Sequence, residues 1–108
     1  MKTEYFVQWT DSARTDLLEI AKYIAKDSIE IALKKMNLIE EKVNGLGSFP
    51  FEGKSVPELE EYNEDNYKQL IVNPWRIIYS ITGKTVTILI VIDGRRDLQD
   101  ILLKKLMK

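Results

Sequence analysis

At 108 residues, with 16 Lys and Arg against 17 Asp and Glu and a net charge of −1, the chain has the size of one compact domain and lacks the basic excess of a general nucleic-acid binder. It contains no cysteine and no histidine, which excludes disulfide frameworks, thiolate centres and imidazole chemistry; a metal would need an all-oxygen shell, and no Asp/Glu spacing matches a calcium loop, so neither a metal nor another cofactor is expected. The N-terminus runs straight into a strand-like pattern and no apolar stretch reaches membrane-spanning length, so the expectation is a single cytoplasmic domain over residues 1–108 with no membrane partner.

Tyr5 to Trp9 predicts a short first strand, because aromatic and β-branched residues dominate it. Thr10, Asp11 and Ser12 then offer alternative N-caps for a helix whose apolar positions Ala13, Leu17, Ile20, Ala21, Ile24 and Ala25 recur at helical spacing. Asp27 and Glu30 stand at capping-box spacing before a second helix through Ile29, Ala32, Leu33, Met36, Ile39, Val43 and Leu46, with Gly45 and Gly47 as stops. So short a link makes the two helices an antiparallel hairpin with one apolar face each, and that face needs a cover.

The second half supplies the cover. After an irregular segment holding Phe49, Pro50, Phe51, Gly53 and Pro57, the acidic run from Glu58 to Asp65 reads as a solvated loop. Three strands follow, Tyr67 to Val72, Trp75 to Ile81 and Thr85 to Ile92, joined by Asn73-Pro74 and Thr82-Gly83-Lys84 as an antiparallel meander. Both alternating sets of the last strand are apolar, which predicts an interior strand covered on both faces. Asp97 is placed to cap a final helix with Leu98, Ile101, Leu102 and Leu106. The fold class is therefore α+β: an N-terminal strand, a helical hairpin on a mostly antiparallel four-stranded sheet, and a short C-terminal helix.

Charge is uneven along the chain. Residues 1–67 hold 8 Lys/Arg against 14 Asp/Glu, and residues 68–108 hold 8 against 3, so the second half is the basic one. Alternation in the middle strand sets Trp75, Ile77, Tyr79 and Ile81 on one face and Arg76, Ile78 and Ser80 on the other. Arg76 then points away from the hairpin, either toward solvent or a groove or into an ordinary cross-strand contact. Trp9 and Trp75 read as core or rim packing. Arg95 and Arg96 precede the last helix, where positive charge opposes the macrodipole; guanidinium forks beside free helix N–H groups suit a phosphate, a carboxylate or an acidic partner.

The combination of Leu46-Gly47-Ser48-Phe49-Pro50-Phe51-Glu52-Gly53, Val56-Pro57-Glu58-Leu59, Tyr67 to Val72, Pro74-Trp75-Arg76-Ile77-Ile78-Tyr79 and Arg95-Arg96-Asp97-Leu98 resembles the RelE/ParE toxin superfamily over essentially the whole chain. The resemblance implies the same small α+β fold and the toxin half of a type II toxin–antitoxin, or plasmid-stabilisation, module, neutralised by a cognate antitoxin, ParD-like or other. Two activities occur in that superfamily. RelE-like members cut mRNA on the ribosome with sheet arginines and lysines and a C-terminal Tyr or His; ParE-like members bind DNA gyrase without known chemistry of their own.

The residues lean to the ParE-like branch. No histidine exists and no tyrosine follows Tyr79, so the tail lacks an acid–base partner, and the overall charge suits a ribosome-docking nuclease poorly. On this reading no residue is catalytic; Arg95 and Arg96 are expected to contact a partner, and Arg76 is a structural or partner-contacting residue. The alternative is a ribosome-dependent endoribonuclease in which Arg76 and Arg95 stabilise phosphate charge, assisted by Lys54 or Lys68.

Overall fold

The computed structural model describes residues 4–60, 66–97, 99–101 and 104. Strand β1 (Phe6–Trp9) leads into helices α1 (Asp11–Ala25) and α2 (Ile29–Asn44), a 3-10 turn (Gly45–Gly47), strand β2 (Lys54–Ser55), the short helix α3 (Pro57–Glu60), and strands β3 (Tyr67–Val72), β4 (Trp75–Thr82) and β5 (Thr85–Asp93). Gln99, Asp100, Ile101 and Lys104 are helical, while Leu98, Leu102 and Leu106 of the expected final helix lie outside the described residues.

Thr10 settles the choice of cap for α1: its backbone is extended and its hydroxyl accepts from the Ala13 N–H at 3.0 Å. Ser28 caps α2, where the spacing had favoured Asp27. The Asp27 N–H is spent on the Ile24 carbonyl in the closing turn of α1, so Ser28 is the first extended residue, and its hydroxyl accepts from Ile31 at 3.1 Å.

The sheet has five strands in the order β1-β5-β4-β3-β2, antiparallel except for the parallel pair β1 and β5. The strand beyond the expected four is β2, only two residues long and too short to carry a period. Gly83 turns β4 into β5 at φ 58, a left-handed position that suits glycine. As expected of an interior strand, β5 is covered on both sides. Val86, Ile88 and Val91 join Ile39, Val43, Leu46, Trp75, Ile77 and Tyr79 in the main core under the hairpin. Ile90 and Ile92 join Val56, Leu59 and Ile78 in a second core on the opposite face, against which Ile101 packs.

That second core corrects the reading of the acidic run. Residues 57–60 are helical, Leu59 is 1 % exposed, and the segment lies on the sheet instead of in solvent. Two apolar residues, Val56 and Leu59, anchor an otherwise acidic stretch. Residues 61–65 are outside the described part of the chain.

Candidate functional site

The β3–β4 register pairs Leu70 with Ile77 and Val72 with Trp75 on the hairpin side, and so sends Gln69, Ile71, Arg76 and Ile78 to the far face. There each of the three Arg76 guanidinium nitrogens makes a hydrogen bond. Its two terminal nitrogens donate to the two carboxylate oxygens of Glu58 at 2.7 and 2.9 Å, and its Nε donates to Gln69 Oε1 at 2.6 Å. Gln69, itself buried, donates in turn to the Ser55 carbonyl at 2.8 Å. Arg76 therefore ties β4 to β3 through Gln69 and to α3 through Glu58, with only 13 % of its side chain exposed. The hydrogen bond from Arg76 holds the Glu58 carboxyl below its ordinary range, against the opposing effect of burial.

Gly94 makes room for this arrangement. A Cβ there would lie 3.3 Å from the Arg76 Cγ and Cδ and 3.1 Å from the Pro74 carbonyl oxygen, so the arginine stem passes directly over the glycine backbone. Nothing in the spacing of Arg76 announced Glu58, Gln69 or Gly94 as its setting. The available signal was Leu59, an apolar residue inside an acidic run.

The two lysines are separated. Lys54 pairs with Gln69 and belongs to the Arg76 face, whereas Lys68 pairs with Tyr79 and belongs to the hairpin face. Arg95 folds back on Asp93: its backbone N–H and Nε donate to Oδ1 at 2.9 Å and its terminal nitrogen to Oδ2 at 2.6 Å. The Asp93 carboxyl is lowered to about 2, first by that side-chain bond and then by the Arg95 N–H. Arg96 is exposed, with its N–H on the Asp93 carbonyl at 3.2 Å. The Arg95 fork is thus occupied within its own turn although its side chain is 77 % exposed, and Arg96 is exposed beside it.

The outer side of the hairpin has a different character. Between α1 and α2 lies a groove of about 470 Å³ lined by Trp9, Leu17, Leu18 and Met36, with Arg14 and Glu40 at its edge. Leu18, on this lining, is 55 % exposed and presents large apolar surface outside the core.

Residues 7–98 match the family described as the ParE toxin of the type II toxin–antitoxin system parDE. The chain belongs to the ParE toxin family. Among its relatives, Toxin ParE3 of Caulobacter vibrioides is 30 % identical over 79 residues, covering 73 % of this chain and 75 % of that protein. The fold is shared with the chromosomal ParDE toxin–antitoxin system of P. aeruginosa, at a TM-score of 0.67 and 24 % identity over 84 % of this chain and 97 % of the other. It is shared more distantly with the toxin–antitoxin complex RelBE2 of Mycobacterium tuberculosis, at a TM-score of 0.54 and 23 % identity over 84 % and 92 % of the two chains. Among the described residues of this ParE-family toxin no helix is long and apolar enough to cross a membrane.

Proposed function

We propose that this ParE-family toxin is a binding poison of DNA gyrase, acting in the cytoplasm and neutralised by a cognate antitoxin as one half of a plasmid-stabilisation module. The observation that carries the reading is the closed fork of Arg76. A guanidinium that stabilises charge on a reacting phosphate must be free to meet it, and here both terminal nitrogens are spent on Glu58 and the Nε on Gln69. Lys54 shares that face but is exposed on the edge strand β2, outside the Arg76 fork, and no histidine or C-terminal tyrosine stands by as an acid or base. The chemistry left to such a surface is recognition.

The groove between α1 and α2 supports the antitoxin half of the reading. Its apolar lining and exposed Leu18 suit an amphipathic segment that folds as it binds and lays apolar side chains along the hairpin. Arg95 and Arg96 belong to the exposed basic half and are assigned to partner contact; Arg76 is assigned to holding the fold.

One preparation of the purified protein tests the reading in two assays, gyrase supercoiling and mRNA cleavage on programmed ribosomes. Inhibited supercoiling with intact message is expected. Codon-dependent cleavage lost in Arg76→Ala would replace this reading with the endoribonuclease one.

A further inference from the structure

Among the described residues, the outer edge of β5 is capped group by group and then left open at one place. Strand β1 pairs with Thr85 to Ile88 and ends, and the chain turns into α1 at Thr10. From there side chains and turn amides take over: the Thr10 N–H reaches the Ile88 carbonyl, the Thr10 hydroxyl the Leu89 carbonyl at 3.4 Å, Asp16 Oδ2 accepts from the Val91 N–H at 3.1 Å, and the Arg96 N–H reaches the Asp93 carbonyl. The alternation set by the Gly94 N–H to Pro74 bond turns Ile90 and Ile92 toward β4, and Val91 and Asp93 outward. Among the described residues, the Val91 carbonyl and the Asp93 N–H are then the two outward groups without a partner.

What remains open selects a direction. An antiparallel visitor would need both groups of one residue, but Asp16 holds the N–H of Val91 and Arg96 holds the carbonyl of Asp93. A parallel visitor needs the carbonyl of one residue and the N–H of the residue two further on, which is the pair left free. The vacancy therefore continues the lane of β1 in the direction of β1. A cavity of about 530 Å³ occupies that lane, lined by Ile20 and Ile24 of α1, by Trp75, and by Ile90 to Asp93. Because its lining includes Val91 from the main core and Ile92 from the second, it lies along the strand's edge and not over one face.

We propose that this lane is a docking site for an extended segment of a protein partner, which adds one residue in parallel to β5 beyond the end of β1. The inference goes beyond the gyrase and antitoxin reading and stands whichever of those proteins supplies the segment. The bridging residue donates to the Val91 carbonyl, accepts from the Asp93 N–H, and directs its side chain with Ile92 toward Ile101. The residue before it faces Ile20 and Ile24, so both are apolar; the residue after it lies at the end where Arg95 neutralises Asp93 and exposed Arg96 stands beside them, with Asp16 and Glu19 set back on α1, so it is acidic. The sequence class is apolar, apolar, acidic.

The probe is acetyl-Leu-Ile-Glu-amide, titrated to millimolar concentration into the 15N-labelled full chain. Saturable shifts of the Val91 and Asp93 amides are expected, with affinity reduced about tenfold when the isoleucine nitrogen is methylated, which removes the donor and keeps the apolar surface. Arg96→Glu is expected to weaken this peptide and to favour acetyl-Leu-Ile-Lys-amide over it. Equal binding of the methylated peptide would reduce the site to apolar adsorption and overturn the proposal. An unmoved Asp93 amide, or one already protected from exchange in the free protein, would overturn it too, and neither result bears on gyrase inhibition.

Discussion

Glu58 offers both carboxylate oxygens to the two terminal nitrogens of Arg76, at 2.7 and 2.9 Å, and so fastens a four-residue helix to the sheet. The pair keeps 13 % and 25 % side-chain exposure, so water weakens it without replacing it. Arg76→Met or Glu58→Gln is each expected to lower unfolding free energy by roughly 1–3 kcal/mol, because each leaves a half-buried partner poorly satisfied. The double variant should cost less than the two added together, since the second change removes the group that the first had orphaned. Urea unfolding of the four proteins checks this, and additive losses would show that the fork carries no coupling.

Acid should find the same pair. The Glu58 carboxyl titrates below its ordinary range in the folded chain, so the folded state binds this proton less readily than the unfolded one. The stabilisation is fully present above the unfolded carboxyl value of about 4.3 and is lost as pH falls through the lower folded value. Melting temperature across this acid range should therefore fall more steeply in the parent chain than in Glu58→Gln. Parallel acid limbs in the two proteins would contradict the linkage.

The meander of β3, β4 and β5 and the helical hairpin were legible because their periods are long and repeated: the spacing from Ala13 to Ala25 and the double apolar set of β5 leave few alternatives, whereas nothing local placed β1 parallel to β5. Helix α3 was not. Only Val56 and Leu59 of its neighbourhood are apolar, and the residues from Glu58 onward have the composition of a solvated loop, so local composition outweighed two anchors whose partners are Ile78 and Ile90, far along the chain. The same distance hid the setting of Arg76. Alternation placed its side chain on the correct face, but its carboxylate comes from 18 residues earlier and its amide from 7 residues earlier in the chain, and no periodicity encodes such pairs. Arg95 is the opposite case, since Asp93 two residues away was in view and the tight turn that joins them was not.

Tyr79 locks the irregular segment before β2 to the core. Its hydroxyl donates to the Pro50 carbonyl at 2.8 Å and accepts from the Gly53 N–H at 3.0 Å, and the residue is wholly buried. Tyr79→Phe is expected to cost about 1–3 kcal/mol, because two backbone groups lose their partner in a place where water is scarce. Gly53→Ala should cost more: a Cβ would collide with that hydroxyl and stand 2.7 Å from the Gln69 carbonyl oxygen, which is backbone and cannot yield. Burial raises the Tyr79 phenol above its usual value. Its stabilisation is thus fully present below about pH 10 and is lost as pH rises through the raised folded value, a loss that Tyr79→Phe should remove. Alkaline melts of both proteins check the sign, and an identical alkaline limb would sink the assignment.

The hairpin groove predicts a separation of folding from neutralisation. Leu18 is 55 % exposed on the groove wall, so Leu18→Glu sacrifices little packing within the chain and should leave its melting temperature nearly unchanged. A partner helix seated there would meet a charge where it buries an apolar side chain, and its affinity should drop by about 10- to 100-fold. Saturating antitoxin stabilises the parent toxin by mass action, by about 2.7 kcal/mol at a hundred times its dissociation constant, so the loss appears as a smaller rise in melting temperature. Thermal melts with and without the antitoxin read both quantities from one pair of proteins. A rise of the same size in Leu18→Glu as in the parent would move the antitoxin off this groove, and a free protein that melts far earlier would show that Leu18 belongs to the core.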